Sequence, residues 1–195
     1  HLMSPVRLVI FGRQGSGKGT QCARLVEAFG PVHISTGDML RAAVAEGTEF
    51  GRRAQEVMDA GDLVSDEIIN GIVAERLALP DVVQNGFLLD GFPRTPAQAT
   101  ALNALLEEAE TSLDLAINLD VSIEVVTERM VARGRADDSP EGIAQRLSLY
   151  EQETAPLFSL FADQGILKIV DGDGTEDEVA ARLAHVVTES QGNKQ

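Results

Sequence analysis

Apolar residues along this chain fall into short runs, separated by longer segments in which they recur every three or four positions. Val6 to Phe11 is mostly apolar and closes on a glycine-rich turn, which predicts a parallel strand buried on both faces. Gly17 to Phe29 follows as a predicted helix, with Cys22, Ala23, Leu25, Val26 and Phe29 at approximate helical spacing. Similar runs recur at Gly86–Asp90 (GFLLD), Leu115–Leu119 (LAINL) and Ile166–Val170 (ILKIV), each parted from the next by a helically periodic segment. Alternation of this kind specifies an α/β fold with a parallel sheet.

Helix starts are marked at three places. Thr95-Pro96 and Ser139-Pro140 each put a capping residue before a first-turn proline, and Thr175 with Glu178 forms a capping box. Pro156 should break or kink the helix that begins near Ser139. From Ser35 to Leu79 the pattern is helical throughout, with turn signals at Gly47 and Gly61-Asp62, so this stretch reads as a helical excursion from the sheet. Between Arg133 and Asp138 the periodicity stops for a few charged and small residues, the mark of a short, mobile surface connection.

A chain of 195 residues, 44% hydrophobic and 24% charged, suits one globular domain around a single core. It has no stretch of about 18 apolar residues, the minimum for a membrane helix, and no secretory signal pattern. A soluble cytoplasmic protein is expected, and His1-Leu2 before Met3 reads as a cloning remnant. Cys22, the only cysteine, can form no intrachain disulfide and cannot supply the two or more thiolates of a structural zinc site. A formal net charge of −15 argues against broad binding to nucleic acid or an anionic membrane. Any anionic ligand must therefore meet a local cluster of cations.

Such a place exists. Gly12-Arg13-Gln14-Gly15-Ser16-Gly17-Lys18 has the Gly-x4-Gly-Lys spacing of a phosphate-binding loop, set between a predicted strand and a predicted helix. Its glycines let backbone N–H groups turn toward an anion, the helix adds its positive end, and Lys18 supplies a mobile point charge. Gly19 follows the lysine, with Thr20 next, where the general pattern puts Ser or Thr directly after it.

The local form GSGKGTQ resembles the adenylate kinase family and its nucleoside monophosphate kinase relatives. The resemblance continues, in the family's order, through Ser35–Arg41 (STGDMLR), Gly61–Val64 (GDLV), Gly86–Arg94 (GFLLDGFPR) and Gly134–Asp138 (GRADD). It implies a P-loop NTPase-type five-stranded parallel sheet with helices on both faces, spanning residues 1–195 as one domain. It further implies a helical monophosphate-binding arm over about 35–64 and a short lid over about 132–138, too short to hide a zinc site.

The same resemblance implies site roles. Gly15, Ser16, Gly17, Lys18, Gly19 and Thr20 would bind ATP, with Gly174 in the turn Gly172–Thr175 touching its adenine. Thr36 and Arg41 would hold AMP, with Asp62, Leu63 and Val64 lining its base. Gly91, Phe92, Pro93 and Arg94 would bind AMP, with Arg94 gripping its phosphate, and Gln98 would recognise adenine. Arg129, Arg133, Arg135 and Arg146 would converge on the transferring phosphates, the first two on ATP and the last two nearer the monophosphate. Asp90, and more weakly Asp38, would serve Mg2+ through water, with helix capping as the competing reading of Asp38.

Several of these assignments have a physical rationale of their own. Arg94 follows an apolar run, at the strand end where open α/β sheets bind ligands, and a guanidinium can donate two parallel bonds to a phosphate. Asp90 ends the same run, where a buried carboxylate is costly unless a magnesium-bound water or the P-loop satisfies it. Arg129 and Arg133 share one helical face, and like charges at that spacing invite an anion.

The expected reaction is MgATP + AMP ⇌ 2 ADP by a monomer, with no nucleic-acid or membrane partner. A UMP/CMP kinase is the nearest alternative, and a GTPase-like switch is the alternative from another class. The chain lacks the Asn-Lys-x-Asp guanine-reading motif of such switches. One departure from the family pattern is plain: Arg13 and Gln14 stand where proline is usual, placing a cation and a flexible amide at the mouth of the loop.

Overall fold

The computed structural model describes residues 4–134 and 139–193. Five strands, β1 (Val6–Gly12), β2 (Val32–Ser35), β3 (Gly86–Asp90), β4 (Leu115–Asp120) and β5 (Leu167–Asp171), form one sheet in the order β2-β3-β1-β4-β5. Every neighbouring pair is parallel. The register places Ser35, Asp90, Gly12 and Asp120 at the carboxyl edge of adjacent strands. That edge is where an open α/β sheet holds its ligands.

The three inner strands, β3, β1 and β4, are buried on both faces because they are apolar on both. Val9, Phe11, Leu89 and Ala116 join the larger core, whereas Leu8, Ile10, Leu88 and Ile117 join a second core on the opposite face. Helix α1 (Lys18–Phe29) and α9 (Glu176–Gly192) cover the second face through Cys22, Leu25, Val179, Leu183 and Val187. The larger core is covered by α2 (Thr36–Glu46), α3 (Glu49–Asp59), α4 (Asp66–Leu77), α5 (Pro80–Asn85), α6 (Pro96–Glu108) and the second half of α8 (Pro140–Asp163). Helix α7 (Ile123–Arg133) packs on the first half of α8 through Val126, Met130, Ile143 and Leu147, a third and smaller cluster.

The predicted helix starts form as the sequence dictates. Thr95, Ser139 and Thr175 accept hydrogen bonds from the amides of Gln98, Gly142 and Glu178, each at 3.1 Å. The stretch read as helical throughout is α2, α3 and α4, ended by left-handed Gly47 and by the turn at Ala60-Gly61. Gly51 fixes the α2–α3 crossing, since a Cβ there would lie 2.1 Å from the Ala43 carbonyl oxygen.

Two features differ from the sequence reading. Strand β2 is not among the four apolar runs: it has only four residues, two of them polar, and sits at the sheet edge. Its pairing with β3, rather than its own pattern, makes it a strand. Helix α8 is not broken at Pro156 but continues to Asp163. Leu157 and Phe161, both fully buried, hold the second half of the helix against the core, and that burial outweighs the one hydrogen bond the proline omits.

Candidate functional site

The phosphate-binding loop is the junction of β1 and α1. Gly15 and Gly17 have φ of +84° and +86°, backbone that side-chain-bearing residues avoid. The Ser16 amide donates to the Arg13 carbonyl at 2.9 Å and closes the turn. Gly17 is the N-cap of α1 and offers no side chain to the helix start. First-turn amides without a side-chain cap are suited to an anion.

Lys18 reaches across to the neighbouring strand end, with Nζ 2.7 Å from Asp90 Oδ1. His33, the second residue of β2, puts Nε2 3.2 Å from Asp90 Oδ2. The carboxylate left costly by the sequence reading is thus satisfied by the P-loop lysine, the second of the two solutions foreseen.

Arg129 on α7 donates from Nη1 to the Gly15 carbonyl at 3.0 Å, so the cation lies against the loop. Gly15, Ser16, Gly17, Thr20, Arg129 and Gly174 line one depression of about 320 Å³. Six of the expected ATP residues are therefore together; Lys18, which faces Asp90, Gly19, which is exposed, and Arg133, at the end of α7, do not line it. Gln21 and Glu176 complete the same wall and were not foreseen; the Gln21 amide donates to the Glu176 carbonyl at 3.1 Å. The one hint was spacing, since Gln21 lies three residues after Lys18 and hence on its side of α1.

A second constellation surrounds Gly91, just past β3. The Gly91 carbonyl accepts from Thr36 Oγ1 at 3.0 Å and from Arg94 Nε at 2.9 Å, tying the start of α2 to the end of β3. Phe92 and Pro93 are buried beneath it and Arg94 is exposed. Among the described residues no carboxylate pairs with Arg94 or with Arg129, whereas Arg13, Arg24, Arg53, Arg76 and Arg182 are all paired. In a chain of net charge −15, two cations left without a carboxylate at one sheet edge are suited to an anionic ligand.

Gln98, expected to recognise adenine, has both ends of its side-chain amide bonded to protein. It is only 7% exposed; Oε1 accepts from the Arg94 amide at 2.8 Å and Nε2 donates to Asp66 Oδ1 at 2.8 Å. Its side chain pins the Arg94 backbone and α6 to α4.

The arm residues lie as follows. Arg41 and Asp38 form an ion pair on the exposed side of α2, and the Arg41 hydrogen bond holds the Asp38 carboxyl below its usual range. Ser35 rather than Asp38 is the helix cap, accepting from the Asp38 amide at 3.2 Å. Asp62, Leu63 and Val64 form the turn between α3 and α4, where Leu63 is 95% exposed and Val64 packs on the larger core. Arg133 ends α7, and Arg146 is partly buried on α8. Arg135, Asp137 and Asp138 lie outside the described residues.

Arg13 is not a free cation at the loop mouth. It donates to Asp120 Oδ1 and to the Val121 carbonyl, both at 3.1 Å, pairs with Glu151, and stands 5.8 Å from the centre of the Tyr150 ring. The residue that departs from the family pattern thus fastens the loop to β4 and α8. Burial pushes the Tyr150 phenol up to about 12.

A parallel α/β sheet with a glycine loop and lysine at its carboxyl edge, facing a separate cation site beside the next strand, defines a P-loop nucleotide-binding protein with room for a second anion. The family follows from comparison with known proteins. A family model described as adenylate kinase matches residues 10–166. The adenylate kinase of Stenotrophomonas maltophilia strain K279a is 51% identical over 182 residues, 91% of this chain and 97% of that protein. That of Xanthomonas campestris pv. campestris strain 8004 is 49% identical over 186 residues, 93% of this chain and 99% of its own length. The chain belongs to the adenylate kinase family. Among the described residues no helix is long and apolar enough to cross a membrane.

Proposed function

We propose that this chain transfers a phosphoryl group reversibly between MgATP and AMP, forming two ADP. One observation carries the reading: two separate anion sites share one sheet edge, Lys18 with Arg129 around the P-loop and Arg94 with Thr36 around Gly91. A protein that only bound or hydrolysed a nucleotide needs the first site alone.

Phosphoryl transfer requires in-line placement and cancellation of charge, with little covalent help from the protein. The P-loop amides, Lys18 and Arg129 hold the ATP phosphates over α1, and Arg94 grips the AMP phosphate. Arg41 and Thr36 position AMP from the arm, and its base lies against Asp62, Leu63 and Val64. Arg133, Arg135 and Arg146 close over the transferring group, excluding water and suppressing hydrolysis. The attacking AMP phosphate oxygen is already ionised near neutral pH, so neither a side-chain nucleophile nor a general base is needed.

Magnesium arrives with ATP, and its chemistry is to neutralise charge on the phosphate oxygens. The Asp90 carboxylate suits that ion: it is 17% exposed at the strand end and 2.7 Å from the P-loop lysine. With Lys18 engaged by phosphate, Asp90 would be the residue to hold the ion, through water. Asp38, committed to Arg41, suits it less. A monomer working in the cytoplasm is the corresponding setting.

The test is ADP formation from MgATP with and without AMP. Rapid ADP formation only when AMP is present supports the reading, and equal rates with and without AMP would mark a hydrolase or switch.

A further inference from the structure

Three side chains from separate elements converge beside the P-loop lysine: Cys22 on α1, His33 on β2 and Asp90 at the end of β3. One ligand atom from each, the thiol sulfur, a ring nitrogen and a carboxylate oxygen, lie within 4.8 Å of one another. Three atoms so spaced stand at most about 2.8 Å from a common centre, against about 2.0–2.3 Å for bonds to zinc. Rotamer adjustments on the order of half an ångström are enough to bring the three ligands to bonding distance. The sequence excludes a structural zinc site built from two thiolates. It says nothing of a mixed set that only the fold assembles.

We propose that Cys22, His33 and Asp90 form a binding site for a borderline divalent transition ion, Zn2+ or Co2+, whose occupation takes Asp90 away from the magnesium that accompanies ATP. One sulfur, one imidazole and one carboxylate select such ions over Mg2+ or Ca2+, which favour oxygen alone. Solvent fills the fourth position. His33, at 36% exposed, gives the ion its route in, while Cys22 is fully buried behind it.

Burial pushes the Cys22 thiol up to about 12, so the metal-free side chain carries its proton. Coordination breaks the S–H bond, sends that proton to solvent, and forms the sulfur–metal bond from the same electron pair. The coordinating His33 nitrogen must be unprotonated, which ends its hydrogen bond to Asp90 and leaves the ring proton on the other nitrogen. The Asp90 oxygen that His33 releases, Oδ2, then serves the bound ion, and the carboxylate is no longer open to the magnesium of the substrate. Loss of turnover as a consequence rests on the phosphotransfer reading above, whereas binding itself does not.

The chain holds one cysteine, so a cobalt–thiolate charge-transfer band in the near ultraviolet reports this site and no other. Titration of the intact protein with Co2+ is expected to raise that band to saturation at one ion per chain, to be reversed by Zn2+ and to be indifferent to Mg2+. Cys22→Ser should abolish it, and His33→Asn should weaken binding by at least about 10-fold. Circular-dichroism melts establish that each variant is folded, and His33→Asn alone decides the matter if Cys22→Ser is not. No band in the parent, or parental affinity in folded His33→Asn, overturns the site.

The same titration is then repeated under turnover at buffered free Co2+ with excess MgATP and AMP. Turnover should fall about 10-fold in the parent as the band saturates, but by less than about twofold in His33→Asn at the same free ion. A saturated band with undiminished turnover overturns the displacement of Asp90. The metal-free rate, measured alongside, tests the phosphotransfer reading separately.

Discussion

Lys18 Nζ stands 2.7 Å from Asp90 Oδ1, so the P-loop cation is held by the carboxylate of the neighbouring strand when no nucleotide competes for it. The pair explains how a lysine and an acid are both tolerated, partly buried, at the end of an apolar sheet. Lys18→Met is expected to lower the rate of phosphoryl transfer by about 10²–10³-fold, as for removal of a preorganised charge from a developing anion. Stopped-flow turnover measures the loss, and a thermal melt within a few degrees of the parent separates it from unfolding. Parental turnover in a folded Lys18→Met would remove the loop from the chemistry.

Arg94 carries the second site. Arg94→Ala should raise KM for AMP by at least about 10-fold, with KM for ATP changed less than about twofold, because the guanidinium serves only the acceptor. Arg94→Lys should restore part of the loss, since an ammonium keeps the charge but not the paired donors. Initial-rate kinetics with each nucleotide varied in turn give the split. Equal effects on both KM values would place Arg94 elsewhere in the reaction.

Gln98 is a packing residue as much as a candidate reader of the base. With both ends of its amide bonded to protein, Gln98→Leu leaves the Arg94 amide and the Asp66 carboxylate without their partners, at a cost of about 1–3 kcal/mol. A urea melt of the nucleotide-free protein should show that loss. Unchanged stability would mean that the amide is freely replaced by water and is open to a base.

Tyr150, the only tyrosine in a chain without tryptophan, offers a clean optical titration. Its phenol, pushed up to about 12 by burial against an ordinary value of 10.0, stabilises the folded state in full below pH 10.0. That contribution is lost as pH climbs through the folded value, because the unfolded chain gives up its proton first. Phenolate absorbance at pH 10.5 should be nearly absent in the folded protein and more than half developed in guanidinium chloride. Equal absorbance in both would mean that the ring beside Arg13 is open to water.

What the sequence disclosed and what it hid divide along physical lines. Apolar runs bounded by turns marked β1, β3, β4 and β5 to within a residue or so, because those segments carry their own apolar pattern. β2 carries almost none, with polar His33 and Ser35 in four residues, and exists through its ladder with β3. The P-loop was legible because glycine and lysine spacing is local. The convergence of Cys22, His33 and Asp90 was not, since it depends on which strands become neighbours. The second role of Gln98, as a bridge to Asp66, and the clamp of Arg13 on Asp120 and Glu151 are likewise long-range facts.

The central claim is that two anion sites on one sheet edge serve transfer to AMP. It is tested most directly by the rate of ADP formation from MgATP supplied in turn with AMP, UMP, CMP and GMP. The account predicts kcat/KM for AMP at least about 100-fold above that for any other acceptor, a ratio in the range an evolved base pocket supplies. A chain that favoured UMP or CMP, or that released phosphate equally well with no acceptor at all, would contradict it.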